Sequence, residues 1–194
     1  MSKIFYIMGK SSSGKDTLFK EILKLRPDLK TIVLHTTRPI RKGEQDGVDY
    51  HFVTEHDIAL LKAAGKIIEM RIYQTEHGPW TYATVKTKAL RPDLYDYLAV
   101  GTPESFSELK KHFGPETVIP IYIEVDDGTR LERALIREKK QEHPKYAEMC
   151  RRFLADEQDF SKEKLNKAGI RKSFRNDDLE TCLHMISEYM GGIS

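Results

Sequence analysis

The apolar run Ile4-Phe5-Tyr6-Ile7-Met8 stops at Gly9, the pattern of a short strand buried on both faces of a parallel sheet. Residues 15–25 carry Leu18, Ile22 and Leu25 at helical spacing, and Pro27 closes that helix. Residues 31–36 predict a second buried strand, so the chain opens as strand, glycine-rich loop, helix, strand, with a right-handed crossover expected. From residue 38 to about residue 84 the pattern changes to short polar and aromatic pieces punctuated by Gly43, Gly47, Gly65 and Gly78. This predicts a small, partly β insert with one helix at 56–64, where Ile58, Leu60 and Leu61 would cover a small sheet. The main layer resumes with a strand at 97–101, a helix at 104–113 and a strand at 118–125, in which Pro120 points to an edge or a strand beginning. Two long helical patterns, 130–140 and 146–159, break at His143-Pro144 like the tip of a lid. A short strand at 170–174 and a helix at 178–189 end the chain.

Strands alternating with helices predict an α/β fold, a parallel sheet flanked by helices. At 194 residues the chain suits one domain with a substantial core. The expected organisation is a core of residues 1–36 and 85–194, a lobe at 37–84 and a lid at about 138–150. Charged residues form 32% of the chain, yet the formal charge is only +2, which gives no signature of an obligate nucleic-acid binder. The run Arg137-Glu138-Lys139-Lys140 reads as a solvated face. Cys150 and Cys182, without Cys-x-x-Cys spacing, suggest neither a disulfide framework nor structural zinc, and fit a reducing compartment. The first apolar run meets Gly9 instead of a signal-peptide cleavage region, and no stretch approaches the ~20 apolar residues of a membrane span. The expectation is a cytoplasmic protein with no membrane partner; nothing in the sequence points to an oligomeric state.

The candidate chemistry begins at Gly9-Lys10-Ser11-Ser12-Ser13-Gly14-Lys15. Gly-x4-Gly-Lys between a strand and a helix is the phosphate-binding loop: its glycines let successive N–H groups turn inward, and the positive helix end adds to them. Lys15 would bridge the β- and γ-phosphates of a triphosphate. The spacing alone arises by accident in about one chain in twenty, and the strand and helix around it cut that several-fold. Where the motif has Ser or Thr for Mg²⁺, this chain has Asp16, followed by Thr17. A carboxylate there is either a Mg²⁺ ligand or simply an acid favouring the first helical turn.

The second cluster runs from His35 to Phe52. Arg38 and Arg41 carry guanidinium forks suited to a dianionic phosphate, and Tyr50 adds a hydroxyl; together they read as a monophosphate pocket, or as a basic turn-rich surface loop. Here the sequence resembles the guanylate kinases, whose motif Ser-Thr-Thr-Arg-x-Pro-Arg-x-Gly-Glu-x-x-Gly-x-Asp-Tyr-x-Phe is matched at Thr36, Thr37, Arg38, Arg41, Gly43, Glu44, Gly47, Asp49, Tyr50 and Phe52. Glu69 resembles the family's acidic guanine contact, and Tyr82 and Thr84 its contacts to the GMP phosphate and base. Arg133, Arg137 and Arg152 resemble the arginines that converge on the transferring phosphoryl group, and Asn176 an asparagine near the adenine of ATP. Each has a plainer alternative: a surface glutamate, ordinary strand residues, a salt-bridged helix surface (expected for Arg130 or Arg151), and a helix N-cap at Asn176 or Asp177.

The resemblance implies a P-loop nucleoside-monophosphate-kinase fold and the reaction ATP + GMP giving ADP + GDP with Mg²⁺. Lys15, Arg38, Arg133, Arg137 and Arg152 would be catalytic. Residues 9–17 and Asn176 would hold the ATP, with Asp16 on the metal; Arg38, Arg41, Tyr50, Glu69, Tyr82 and Thr84 would hold GMP. The chain also departs from the family. Ala99 and Gly101 stand where the family has Asp-x-Asp, Leu34-His35 replace serines, Arg-Pro-Ile-Arg transposes Arg-x-Pro-Arg, and residues 74–79 hold an inserted loop. These departures leave open a P-loop kinase with another acceptor, or a nucleotide-binding module of weak activity.

Overall fold

A computed structural model describes residues 2–41, 43–75 and 78–193. Its main sheet is parallel, in the spatial order β2 (Lys30–Thr31), β7 (Tyr97–Gly101), β1 (Ile4–Gly9), β8 (Val118–Glu124), β9 (Ser173–Arg175). With a paired strand on each side, β1 is buried along its whole length. Its alternate side chains serve two cores. Ile4, Tyr6 and Met8 pack with Phe106 and Leu109 of α3 (Pro103–Phe113). Phe5 and Ile7 pack with Leu18 and Ile22 of α1 (Lys15–Leu25) and with Cys182, Ile186 and Met190 of α7 (Leu179–Gly191). Helices therefore cover both faces, as the unbroken apolar run of β1 requires.

The strand expected at 31–36 is two strands in two sheets. Residues 30 and 31 join β7, whereas β3 (His35–Thr36) joins a second, four-stranded sheet of order β4 (His51–Phe52), β3, β6 (Gly78–Val85), β5 (Ile67–Thr75). Between the two sheets Ile32 packs against the main core and Leu34 lines the cleft. Beside the second sheet runs α2 (Glu55–Ala63), started by a Thr54/Asp57 capping box; Ile58 is buried beneath it, but Leu60 is exposed rather than covering the sheet. Part of the inserted segment is strand: residues 74–75 of β5 pair with residues 78–79 of β6, while residues 76 and 77 of that insertion lie outside the described residues.

Pro120 lies within β8, not at its start. There β8 is paired with β1, while β9 joins only from Tyr122 onward, so the missing N–H interrupts no β9 ladder. The two long helices are α4 (Asp127–Lys139), capped by Asp126, and α5 (Tyr146–Asp159). Glu138 departs from the solvated-face expectation: it is buried and accepts hydrogen bonds from Gln141 Nε2 and the Lys145 N–H, tying the α4–α5 turn together. The short helix α6 (Lys162–Ala168), which no long apolar period announced, starts at Ser161 and stops at left-handed Gly169. The last strand begins at residue 173 instead of 170. Among the described residues no helix is long and apolar enough to cross a membrane.

Candidate functional site

The phosphate loop closes the C-terminal end of β1. Ser12 and Gly14 adopt positive φ (63° and 82°), and Gly14 caps α1 in the left-handed region. A side chain at Gly14 would collide with Asn176 Nδ2, and one at Gly9 would lie 2.7 Å from Ser13 Oγ and 2.8 Å from the Ile123 carbonyl. Close approach thus fixes both glycines, and at Gly14 the dihedral angle does so as well. Asn176 is buried and donates from Nδ2 to the Ser13 carbonyl at 2.7 Å. It braces the loop, and the α7 cap falls at Asp178, not at Asn176 or Asp177. The Ser12 and Ser13 hydroxyls are buried without a hydrogen-bond partner among the described residues.

Two of the loop's polar groups are engaged by the lid helices. The Ser11 N–H donates to Asp156 Oδ2 at 2.7 Å, and the Ser11 carbonyl accepts from Arg130 Nε at 3.1 Å. Arg130 is no surface residue: it is 1% exposed, faces Asp127, Asp156 and Glu157, and lies over the Phe153 ring. Lys10, a predicted phosphate contact, has its ammonium 2.6 Å from Glu157 and 3.4 Å from Asp127. The structure therefore gives Lys10 to the loop–lid junction. Lys15 stays at the cleft, 3.9 Å from the well exposed Asp16 carboxylate; Thr17 is exposed on the next helical position.

A cleft of about 790 Å³ opens between the loop, the second sheet and the lid helices. Lys15, Asp16, Arg41, Tyr50, Tyr82, Arg137 and Arg152 all line it. Residues far apart in sequence thus meet across one space. Arg152 is 3.6 Å from Glu148, and Arg151 pairs with the same carboxylate at 2.7 Å, the salt bridge expected of it. Arg133 instead donates to the Asn176 carbonyl at 3.2 Å, behind the loop.

The acidic residues of the 43–52 segment explain its local form. Glu44 accepts both arms of the Arg38 fork, at 2.8 and 3.0 Å, and the Arg41 N–H. Asp49 accepts the Gln45 N–H, and Asp46 the Phe52 N–H. Arg38 is buried, with its guanidinium 5.1 Å from the Tyr50 ring. Burial works to lower its pKa, but Glu44 and Tyr82 outweigh that and raise it. Arg38 consequently sits behind Tyr50, while Arg41 reaches the cleft. Thr36 and Thr37 pin β3 to β6 through the Thr81 backbone. Tyr50 and Tyr73 each meet Tyr82 edge-on, and burial raises both of their hydroxyl pKa values.

The base end differs most from expectation. Glu69 is buried, accepts a 2.8 Å hydrogen bond from Thr84 Oγ1, and has Oε2 3.1 Å from Arg71 Nε. Arg71, Tyr73 and Trp80 line the cleft beside it. The sequence reading missed all three, although Arg71 and Tyr73 follow Glu69 at the two-residue spacing that puts them on one strand face. At Gly101 a Cβ would collide with the Tyr6 hydroxyl and lie 2.6 Å from Ser105 Oγ. Tyr6 donates to or accepts from Ser105 at 2.7 Å, and burial lifts its hydroxyl to about 12. The volume expected for a carboxylate is filled from β1. On β3, His35 packs on His51 with ring centres 4.5 Å apart; burial, then His51, lowers its pKa to about 4.

A family model described as guanylate kinase matches residues 1–192. Proteins named guanylate kinase are 46% identical over 68 residues in Schizosaccharomyces pombe (34% of each chain) and 41% over 66 residues in Nitrosococcus oceani (34% of this chain, 32% of that one). One from Gloeobacter violaceus is 35% identical over 103 residues, 53% of this chain and 46% of that one. The matched stretches span only about a third of the first two relatives and under half of the third. A crystal structure of guanylate kinase from Anaplasma phagocytophilum superposes with a TM-score of 0.64 over 98% of this chain and 85% of that one at 21% identity, a likeness of fold. With the family model covering nearly every residue, the chain belongs to the guanylate kinase family.

Proposed function

We propose that this protein transfers the terminal phosphoryl group of ATP to GMP, giving ADP and GDP. The observation that carries the reading is the shared cleft: Lys15 of the phosphate loop, Arg41 and Tyr50 of the second sheet's lobe, and Arg137 of α4 and Arg152 of α5, on either side of the lid, face one volume. Lys15 and the loop hold the donor phosphates; Arg41, Tyr50 and Tyr82 hold the acceptor phosphate, with Arg38 adding positive charge from behind. An oxygen of the GMP phosphate attacks the γ-phosphorus in line as the bond to the ADP oxygen breaks. The transition state is loose, so delocalised charge from Arg137 and Arg152 counts for more than a strong base. Closure of the lobe at 37–84 and the lid at 138–150 excludes water that would otherwise take the phosphoryl group.

Mg²⁺ would supply positive charge against the ATP phosphates when bound. Such ions use one or two carboxylates and leave the rest to phosphates and water; Asp16, exposed at the cleft beside Lys15, offers one hard oxygen donor of that kind. Cys150 and Cys182 are free thiols, consistent with the cytoplasm as the working compartment. The test is ADP release from ATP and Mg²⁺ against a panel of nucleoside monophosphates. Turnover with GMP supports the reading; turnover confined to another monophosphate, or nucleotide binding without turnover, overturns it.

A further inference from the structure

The base end of the cleft has lost polar groups at two positions and gained one. Leu34 offers no hydroxyl, and Gly101 no carboxylate, its side-chain space being taken by Tyr6 and Ser105. In exchange β5 puts Arg71 two residues beyond Glu69, on the same face and at the cleft wall. The Arg71 side chain is 9% exposed and that of Glu69 1%. Their facing atoms, Nε and Oε2, are 3.1 Å apart without a well-aligned hydrogen bond among the described residues, and the bond that does join the two side chains, from Arg71 Nη2 to Glu69 Oε1, is long at 3.4 Å. A charged pair held this closely but misaligned keeps donor and acceptor capacity that folding alone leaves unused, and buried groups in that condition gain from a ligand that completes them.

Arg71 presents its donors at the cleft wall, and the Glu69 acceptor lies directly behind it. Guanine presents the complementary edge: the O6 acceptor beside the N1–H and N2–H₂ donors. A carboxylate reads only the donor half. The guanidinium remains charged at any working pH, and Tyr6, Glu69 and Tyr73 around Arg71 outweigh the effect of burial and raise its pKa further.

Building on the phosphotransfer reading above, we infer that Arg71 is an acceptor-specificity residue of this chain, donating to O6 of the guanine base while Glu69 accepts from N1–H and N2–H₂. Arg71 thereby supplies the donor that Leu34 cannot. The structural basis is the juxtaposition of a buried, imperfectly satisfied Glu69–Arg71 pair with a base pocket stripped of its other polar groups.

The test compares kcat/KM for GMP, for 6-thio-GMP (which replaces O6 by a weakly accepting sulfur and keeps N1–H and N2–H₂) and for IMP (which keeps O6 and lacks the N2 amine). Wild type, Arg71→Met and Arg71→Lys are measured, with melting temperatures alongside. Arg71→Met should lower kcat/KM for GMP roughly 10- to 100-fold, the range of a good side-chain–base contact, chiefly through KM. It should also abolish the preference for GMP over 6-thio-GMP while keeping that for GMP over IMP. Arg71→Lys, which keeps a charged donor, should restore part of the first preference. An unaltered GMP to 6-thio-GMP ratio in Arg71→Met overturns the inference, as does loss of both preferences together. If Arg71→Met does not fold, a wild type indifferent to thio substitution, or an Arg71→Lys with the wild-type ratio of GMP to 6-thio-GMP, overturns it equally. A wild type with no GMP turnover at all removes the phosphotransfer reading first, which distinguishes the two failures.

Discussion

Replacing Arg130 by Met should unfasten the phosphate loop from the lid helices. The arginine is 1% exposed, and its partners are unequal: Asp156 is 16% exposed in its side chain, Glu157 40% and Asp127 51%. Removing one member of a buried ion pair costs about 3–5 kcal/mol. Here Glu157 and Asp127 would recover water, and exposed pairs contribute little. The loss then comes mainly from Asp156 and from the Ser11 carbonyl, left without its donor. Methionine keeps the apolar stem but loses the guanidinium over Phe153, so about 2–3 kcal/mol is expected, or roughly 4–12 °C in Tm for a chain of this size. Urea denaturation gives the first number and a thermal scan the second. Lys10→Met is the control: its carboxylates are the two exposed ones, so its cost should stay below about 1 kcal/mol. Arg130→Met combined with Asp156→Asn should be less than additive, because both changes disrupt one contact. ATP affinity should fall as well, since Ser11 is held through both its N–H and its carbonyl. If Arg130→Met proves no more costly than Lys10→Met, the loop is not held from α4 and the argument fails.

Four further outcomes follow from single contacts. Gly101→Ala should destabilise by about 1–3 kcal/mol through overpacking against Tyr6 and Ser105, and Tyr6→Phe should relieve part of it in the double variant, as read by denaturant titration. Asn176→Ala removes the donor to the Ser13 carbonyl and should cost about 1–2 kcal/mol, with a higher KM for ATP in steady-state assays. His35 is held neutral, with a folded pKa near 4 against 6.5. The unfolded chain therefore binds the extra proton between those values, and stability should fall on acidification through pH 6.5 toward 4, by roughly 1–2 kcal/mol after allowing for its partial exposure. His35→Gln should flatten that limb of a stability-versus-pH curve. Asp16→Ala should weaken Mg²⁺-dependent ATP binding by about tenfold or more in calorimetry with and without the metal; equal affinities would remove Asp16 from the metal's coordination.

The sequence announced elements that bury a face by a regular period. β1 and α1 were legible from the run at 4–8 and from Leu18 and Ile22, because each serves a core whose period is that of the element itself. Elements stabilised by capping or by a change of core were not. Residues 31–36 form one apolar run but feed two sheets, and α6 is set by Ser161 and Gly169 in a stretch too short for a period to show. The phosphate loop and the acceptor motif were legible because glycines with required dihedrals and acids that close turns sit at fixed offsets. Which functional side chains reach the cleft was not, since that depends on partners distant in sequence. Glu44, six residues on, takes the Arg38 fork, and Glu157 takes the Lys10 ammonium.

That distinction explains the pattern of the departures. The missing carboxylate at Gly101 looks like simple loss along the sequence, but in three dimensions any side chain there would run into Tyr6 and Ser105, which would have to shift to admit it. Tyr6 is a β1 residue packed with Phe106 in the core below the cleft, so the change in the base pocket is rooted in the core. Restoring an aspartate at 101 alone should therefore lower stability without rebuilding the family's pocket. Pairing it with Tyr6→Leu and Ser105→Ala removes the atoms that the Cβ would meet, and only then should the carboxylate add to acceptor binding. If Gly101→Asp alone raised GMP turnover at unchanged Tm, the packing argument would be wrong and the glycine would be a loss the fold never required.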